Sequence, residues 1–342
     1  MSTGSTQRAE SAVTYDAHLQ RLLAPFREIL ADPKISEICI NGSESGFWTE
    51  RAGHAAMDFH PCDTVTNDSL QHIAQMLARN TGQTVREETP LLSAILPTGE
   101  RVQIVLPPAS PKGVALSIRK QVITELSLDE YDALGAFSDT TLLTESDAKE
   151  PDSELDSLLG RGNYKGFIAR AAQKHKNIII SGGTSTGKTT MLNAVLQSIP
   201  PSERIITIED TAELRPPQKN WLSLLASKNE QGRARVTIED LLQASLRLRP
   251  DRILLGELRG KEAYTFLRAV NTGHPGSVTT VHADTPRSAL HQIALMVQQN
   301  DINMTQEQII EYVSSVVDIV IQLRRVDGQR KVSNIWYPQY QK

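Results

Sequence analysis

Apolar positions fall into one rhythm over the first third of the chain and a different one over its second half. From Tyr15 to Ala31, Leu19, Leu22, Leu23, Phe26, Ile29 and Leu30 recur at helical spacing, and Asp32-Pro33 ends the run. Ile35 to Ile40 alternates as a strand, Asn41-Gly42 signals a turn, and Phe47-Trp48-Thr49 reads as its partner. Asp68 to Asn80 has a helical period with Gly82 as its stop. Strands are predicted over Leu92–Leu96 and Arg101–Leu106, on either side of Pro97-Thr98-Gly99-Glu100, and over Ala115–Arg119. This predicts a small α+β domain over 1–124. From Tyr164 strands and helices alternate, the mark of a parallel sheet covered by helices, so 164–342 is expected to be a second, α/β domain. Its end departs from that rhythm: Thr305-x-x-Gln308 caps a helix through Val317, and Asp318–Leu323, Asp327-Gly328 and Arg330–Trp336 predict an edge hairpin.

The 342 residues exceed what a single core usually supports, in keeping with two domains. The net charge of −4 does not suggest a dedicated nucleic-acid binder. Its distribution is uneven: 23 Lys and Arg stand against 16 Asp and Glu from Tyr164 onward, and 13 against 24 before it. Most of the deficit lies between Glu125 and Asp156, where Lys149 is the one base, so 125–163 reads as a solvated acidic linker. Cys39 and Cys62 are too few and too far apart for a metal knuckle. Met1–Ser11 is polar and no run approaches the roughly 18 apolar residues of a membrane span, which predicts a cytoplasmic protein that reaches a membrane only peripherally.

The candidate chemistry centres on Gly182-Gly183-Thr184-Ser185-Thr186-Gly187-Lys188-Thr189, a complete Gly-x4-Gly-Lys-Thr phosphate loop, followed by Thr190. It sits between an apolar strand, Asn177–Ser181, and a helix from Lys188 to Gln197. In such a loop backbone N–H groups turn toward phosphate oxygens, Lys188 supplies a cation for the β- and γ-phosphates, and Thr189 offers a hydroxyl to Mg²⁺. The expected ligands are therefore ATP and Mg²⁺. Ile205–Ile208 ends in Glu209-Asp210, and Arg252–Leu255 ends in Gly256-Glu257, so carboxylates stand at strand C-termini, where open parallel sheets bind ligands. Glu257 can hold the Mg²⁺ shell or take the proton of the attacking water. Gly256 stands where many nucleotide hydrolases place a metal-binding aspartate, which shifts metal contact toward Thr189 and water. Thr272-Gly273-His274-Pro275-Gly276 precedes the strand Val278–Val281, which ends at His282, a group able to bond the γ-phosphate.

These elements occur in the order and spacing of one family. With Ile208-Glu209-Asp210-Thr211-Ala212-Glu213-Leu214, Arg249-Pro250-Asp251-Arg252 and Gly273-His274-Pro275-Gly276, the chain resembles the secretion ATPases, in which they form the Walker A loop, acidic box, Walker B strand and histidine box. Gly99-Glu100-Arg101-Val102-Gln103-Ile104-Val105-Leu106-Pro107-Pro108 and the absence of a four-cysteine zinc insert make it most similar to the traffic ATPases of type IV secretion and conjugation. The resemblance implies an α/β fold with a C-terminal RecA-like P-loop NTPase domain and a smaller PAS-like N-terminal domain. It implies a homo-hexameric ATP-hydrolysing motor for secretion, conjugative transfer or pilus biogenesis, peripheral at the inner membrane. Its partners would be inner-membrane proteins of the machine, including other ATPases. It also implies that Glu257, Glu209 and His282 act in catalysis, joined by Arg101 and Arg119 from the N-terminal domain.

Two other readings stay open: a nucleotide-gated assembly module in which turnover is incidental, and a nucleic-acid motor. The 16 aromatic residues form no stacking series with basic ones, so no direct specific nucleic acid is expected.

Overall fold

The computed structural model describes residues 17–42, 44–120, 127–138, 140, 152–227 and 234–340. Six strands form an antiparallel sheet in the order β3-β2-β1-β6-β5-β4: β1 (Ile35–Asn41), β2 (Gly46–Arg51), β3 (Asp58–Pro61), β4 (Leu91–Ile95), β5 (Arg101–Val105) and β6 (Ala115–Arg119). The helix Asn67–Asn80 buries Leu70, Ile73, Ala74 and Leu77 in the core that also takes Ile38, Ile40, Ile104, Leu116 and Ile118 from the sheet. A Thr66–Ser69 capping box opens that helix. The expected continuous helix to Ala31 is broken. Residues 17–22 are helical, but Pro25 sits in a 3-10 turn, Ala24–Phe26, before a short helix Arg27–Ala31, because proline restricts the residue before it. Residues 15 and 16 lie outside the described residues.

The second sheet has seven strands in the order β13-β12-β7-β11-β10-β8-β9: β7 (Ile178–Gly182), β8 (Ile205–Glu209), β9 (Trp221–Leu225), β10 (Arg252–Leu255), β11 (Val278–Val281), β12 (Ile319–Val326) and β13 (Gln329–Trp336). All neighbours are parallel except β12 and β13, the expected edge hairpin. Alternation along each strand divides the core between two faces. Ile179, Ile253, Leu255 and Val320 enter one cluster with the helices Ile238–Ser245, Glu262–Asn271, Pro286–Gln298 and Gln306–Val316. Ile178, Ile180, Leu254, Ile319 and Ile321 enter the other, with Tyr164–Gln173 and Lys188–Leu196.

The acidic stretch 125–163 holds more structure than its composition predicts. Leu128–Ala133 is a short helix with a Ser127–Glu130 capping box. Ser153–Gly160 is a helix whose Leu155 is fully buried in the C-terminal core. Residues 125–126, 139 and 141–151 of that stretch lie outside the described residues.

The N-terminal sheet packs against the edge β9 and the N-terminal ends of β8 and β10. Buried Arg204, just before β8, donates Nη1 to Asn41 at 2.7 Å and to Asn220 at 2.5 Å. Arg249, just before β10, reaches Glu50, and the Leu225 N–H donates to the Ala109 carbonyl at 2.8 Å. The phosphate loop leaves β7 at the opposite end of the sheet.

Candidate nucleotide site

The turn from β7 into the helix Lys188–Leu196 needs its glycines. Gly187 has φ +93°, a left-handed conformation that other residues adopt at a cost. A Cβ at Gly182 would run into Thr186 Oγ1, whose hydroxyl donates to the Gly183 carbonyl at 2.9 Å and closes the loop on itself. The loop then delivers Lys188, Thr189 and Thr190 to the first turn of the helix, where the N–H groups have no intrahelical partner and the dipole favours an anion.

A cleft of about 340 Å³ lies over this turn. Thr184 to Thr190, Glu209, Gly256, Glu257 and His282 line it. Gly182 and Gly183 carry the loop's carbonyls: Lys188 Nζ donates to them at 3.0 and 3.2 Å and lies 3.2 Å from His282 Nε2. The Lys188 side chain therefore stays within the loop, ready to exchange carbonyl partners for phosphate oxygens. Burial pulls its pKa down while the Glu257 charge opposes that shift.

The two glutamates are held differently. Glu209 is buried, its Oε1 accepts the N–H groups of Glu213 and Leu214 at 2.8 and 2.9 Å, and its Oε2 has no hydrogen bond. Burial raises its pKa against those two bonds. Glu257 Oε2 is gripped by Arg259, at 2.7 Å from Nε and 2.5 Å from Nη2. Its Oε1 lies 2.9 Å from His282 Nε2 without the geometry of a hydrogen bond, so Oε1 is buried without one. Two buried carboxylate oxygens of cleft-lining residues thus keep unused acceptor capacity, an arrangement that suits water and a hydrated cation. Gly256 has a local reason: a Cβ there would come within 3.3 Å of Glu209 Cγ.

Arg259 escaped the sequence reading. Besides gripping Glu257 it donates to Asp210 at 2.6 Å, and these ion pairs raise its pKa although burial acts the other way. Asp210 stands at the end of the neighbouring strand β8, a proximity that spacing along the chain does not reveal. Arg330, from β13, and Thr280, whose hydroxyl donates to the Gly256 carbonyl at 2.9 Å, also line the cleft.

Arg101 and Arg119 do not line it. They sit directly opposite each other on β5 and β6, both exposed, and Arg119 lies 3.6 Å from buried Glu37. Arg119 instead borders a separate cavity at the N-terminal ends of the C-terminal strands, with His274 and Arg249. There His274 Nδ1 bonds the Pro250 carbonyl at 3.0 Å, and burial lowers its pKa.

Comparison with known proteins agrees with this geometry. The family model described as "Type II/IV secretion system protein" matches residues 21–334. The type IV secretion system protein VirB11 of Bartonella henselae is 38% identical over 328 residues, covering 92% of this chain and 91% of its own length. PtlH of Bordetella pertussis, also a type IV secretion system protein, is 39% identical over 335 residues, 94% of each chain. The crystal structure of the VirB11 ATPase of Brucella suis, in complex with sulphate, superimposes with a TM-score of 0.86 at 36% identity, covering 94% of this chain and 98% of that one. With its phosphate loop, its strand-end glutamates and this likeness over nearly its whole length, the chain belongs to the type II/IV secretion system protein family, as a secretion ATPase.

Proposed function

We propose that this chain is the motor of a type IV secretion or conjugation machine, working as a homo-hexamer that hydrolyses ATP with Mg²⁺ and docks, from the cytoplasmic side, on inner-membrane proteins of that machine. The observation that carries the reading is the convergence of Lys188, Glu257 and His282 on one phosphate loop. Glu257 is the general base: its unbonded Oε1 takes a proton from water once a triphosphate draws Lys188 away from the loop carbonyls. Glu209, anchored through Oε1, presents Oε2 to position that water or the cation shell. His282 lies between Lys188 and Glu257 and senses the γ-phosphate through both. Thr189, with Glu257 through water, would hold Mg²⁺, which supplies charge neutralisation on the transferred phosphoryl group.

Arg101 and Arg119 complete the site of another copy. Their own sheet packs at the far end of the strands from their own phosphate loop, and both guanidinium groups are exposed on it. Supplying guanidinium groups across a subunit boundary ties hydrolysis to ring closure. Lys188→Ala tests the reading: we expect ATP turnover to fall at least ~100-fold, and parent-like turnover would refute it. The gated-assembly alternative draws on the Arg259 clasp over Glu257. It predicts that Glu257→Gln, still binding ATP, supports secretion, whereas the motor reading predicts that it does not.

A further inference from the structure

Four carboxylates, Glu209, Asp210, Glu213 and Glu257, line the nucleotide cleft against three cations, Lys188, Arg259 and Arg330. Taking in a triphosphate adds several negative charges to a site already short of positive ones. Two of the cations already have partners: Lys188 the loop carbonyls and His282, and Arg259 the carboxylates of Glu257 and Asp210. Arg330 differs, since among the described residues no carboxylate pairs with it. It comes from the edge hairpin and lies across the loop: a Cβ at Gly187 would meet its Cδ at 2.9 Å, with Nε at 3.6 Å and Nη1 at 3.8 Å. A second feature of the hairpin points to an anion. Arg330 stands directly opposite Arg325, and Lys331 opposite Arg324, so like charges face each other across β12 and β13, an unfavourable pairing without a counter-charge.

Position along the loop indicates which part of the nucleotide Arg330 meets. Backbone N–H groups of a phosphate loop cradle the α- and β-phosphates, while the lysine reaches the β- and γ-phosphates. Glu257, Arg259 and His282 gather on the side of Lys188 Nζ, at the γ end, whereas Arg330 crosses Gly187 in the loop itself.

We propose that Arg330 is a phosphate-binding residue that the C-terminal hairpin supplies to its own chain's site, gripping the diphosphate common to ADP and ATP. The inference rests on the nucleotide reading above and extends it to product as well as substrate. A guanidinium at that position holds ADP after the γ-phosphate has left, and it couples the edge hairpin to occupancy of the site rather than to hydrolysis.

The test uses the full chain with Arg330→Gln, which keeps most of the stem and loses the charge, and Arg330→Lys, which keeps a charge. ADP and a non-hydrolysable ATP analogue are titrated calorimetrically, with hydrogen exchange followed in hairpin residues 324–332. We expect Arg330→Gln to weaken both ligands by about tenfold, with the kinetic loss in KM rather than kcat, and Arg330→Lys to stay within about threefold of the parent. ADP is expected to slow exchange in the parent hairpin but not in Arg330→Gln. Parent-like ADP affinity in Arg330→Gln, or equal losses in both variants, would overturn the proposal and leave the nucleotide site standing. ADP affinity unchanged in Lys188→Ala would instead bring down the nucleotide reading itself.

Discussion

The two ends of the seven-stranded sheet use the same kinds of charged residue to opposite purposes. At the N-terminal ends, Arg252 is fully buried and every partner is fixed: Glu203 takes Nε and Nη2 at 2.5 and 2.9 Å, and the Ala172 and Gly276 carbonyls take Nη1 at 2.6 and 3.2 Å. At the C-terminal ends, Glu209 and Glu257 each keep a buried oxygen without a hydrogen bond, and Lys188 is held by carbonyls it can exchange. Satisfied charges specify a structure. Unsatisfied carboxylate oxygens beside the phosphate loop, costly in themselves, suit a ligand or a reaction.

Mutating one charge at each end separates the two roles. Glu257→Gln is expected to lower kcat by roughly 10³-fold while ADP affinity and Tm stay close to the parent values, as followed by steady-state turnover, calorimetry and thermal melting. Arg252→Ala leaves the mostly buried Glu203 with His175, 3.3 Å away, in place of its two guanidinium bonds, and it should cost about 3–5 kcal/mol, lowering Tm by about 10 °C before any effect on chemistry. A stable Arg252→Ala protein with a dead site would reverse the comparison.

A smaller effect is expected in the N-terminal sheet. Burial pushes Glu37 up to about 7, against the Ser117 hydroxyl and Arg119, which favour the charged form. The folded chain therefore holds this proton more tightly than the unfolded one. The resulting stability is complete below the ordinary glutamate pKa and is lost as pH rises through about 7. Denaturant melts at pH 5 and pH 8 should differ by about 2–3 kcal/mol from this group, and Glu37→Gln should remove that difference. The smallest effect concerns Glu209. Replacing its buried, half-bonded carboxylate by Glu209→Gln should leave stability unchanged or raise it by less than about 1 kcal/mol while turnover falls, which simultaneous melts and assays would show.

The sequence made the nucleotide site largely legible because its signals are local. A strand, a glycine turn and a helix are contiguous over 178–196, Glu209 and His282 directly follow a strand's apolar residues, and Glu257 follows one after Gly256. Ser153–Gly160 was hidden because acids near a helix N-terminus look like a solvated linker in composition. Asp152 caps that helix, and with Glu154 it pairs with Lys174 and Arg170 on the next helix. Arg259 and Arg330 were missed because their roles depend on strand order. Arg259 finds Asp210 only because β8 and β10 are neighbours, and Arg330 finds Gly187 only because β13 folds back beside β12. The short edge strand Asp58–Pro61 has too little apolar alternation to stand out on its own.

Whether a site is completed between copies is decided by mixing two inactive proteins. Lys188→Ala lacks a working phosphate loop, and the double variant Arg101→Ala, Arg119→Ala lacks the arginines offered across the boundary. Each alone should hydrolyse ATP poorly. Mixed one to one and allowed to exchange subunits, they should recover about a quarter of the parent rate, since a quarter of boundaries pair an intact loop with intact arginines. A mixture as inactive as its components would contradict the account, showing that the arginines serve their own chain's site or none.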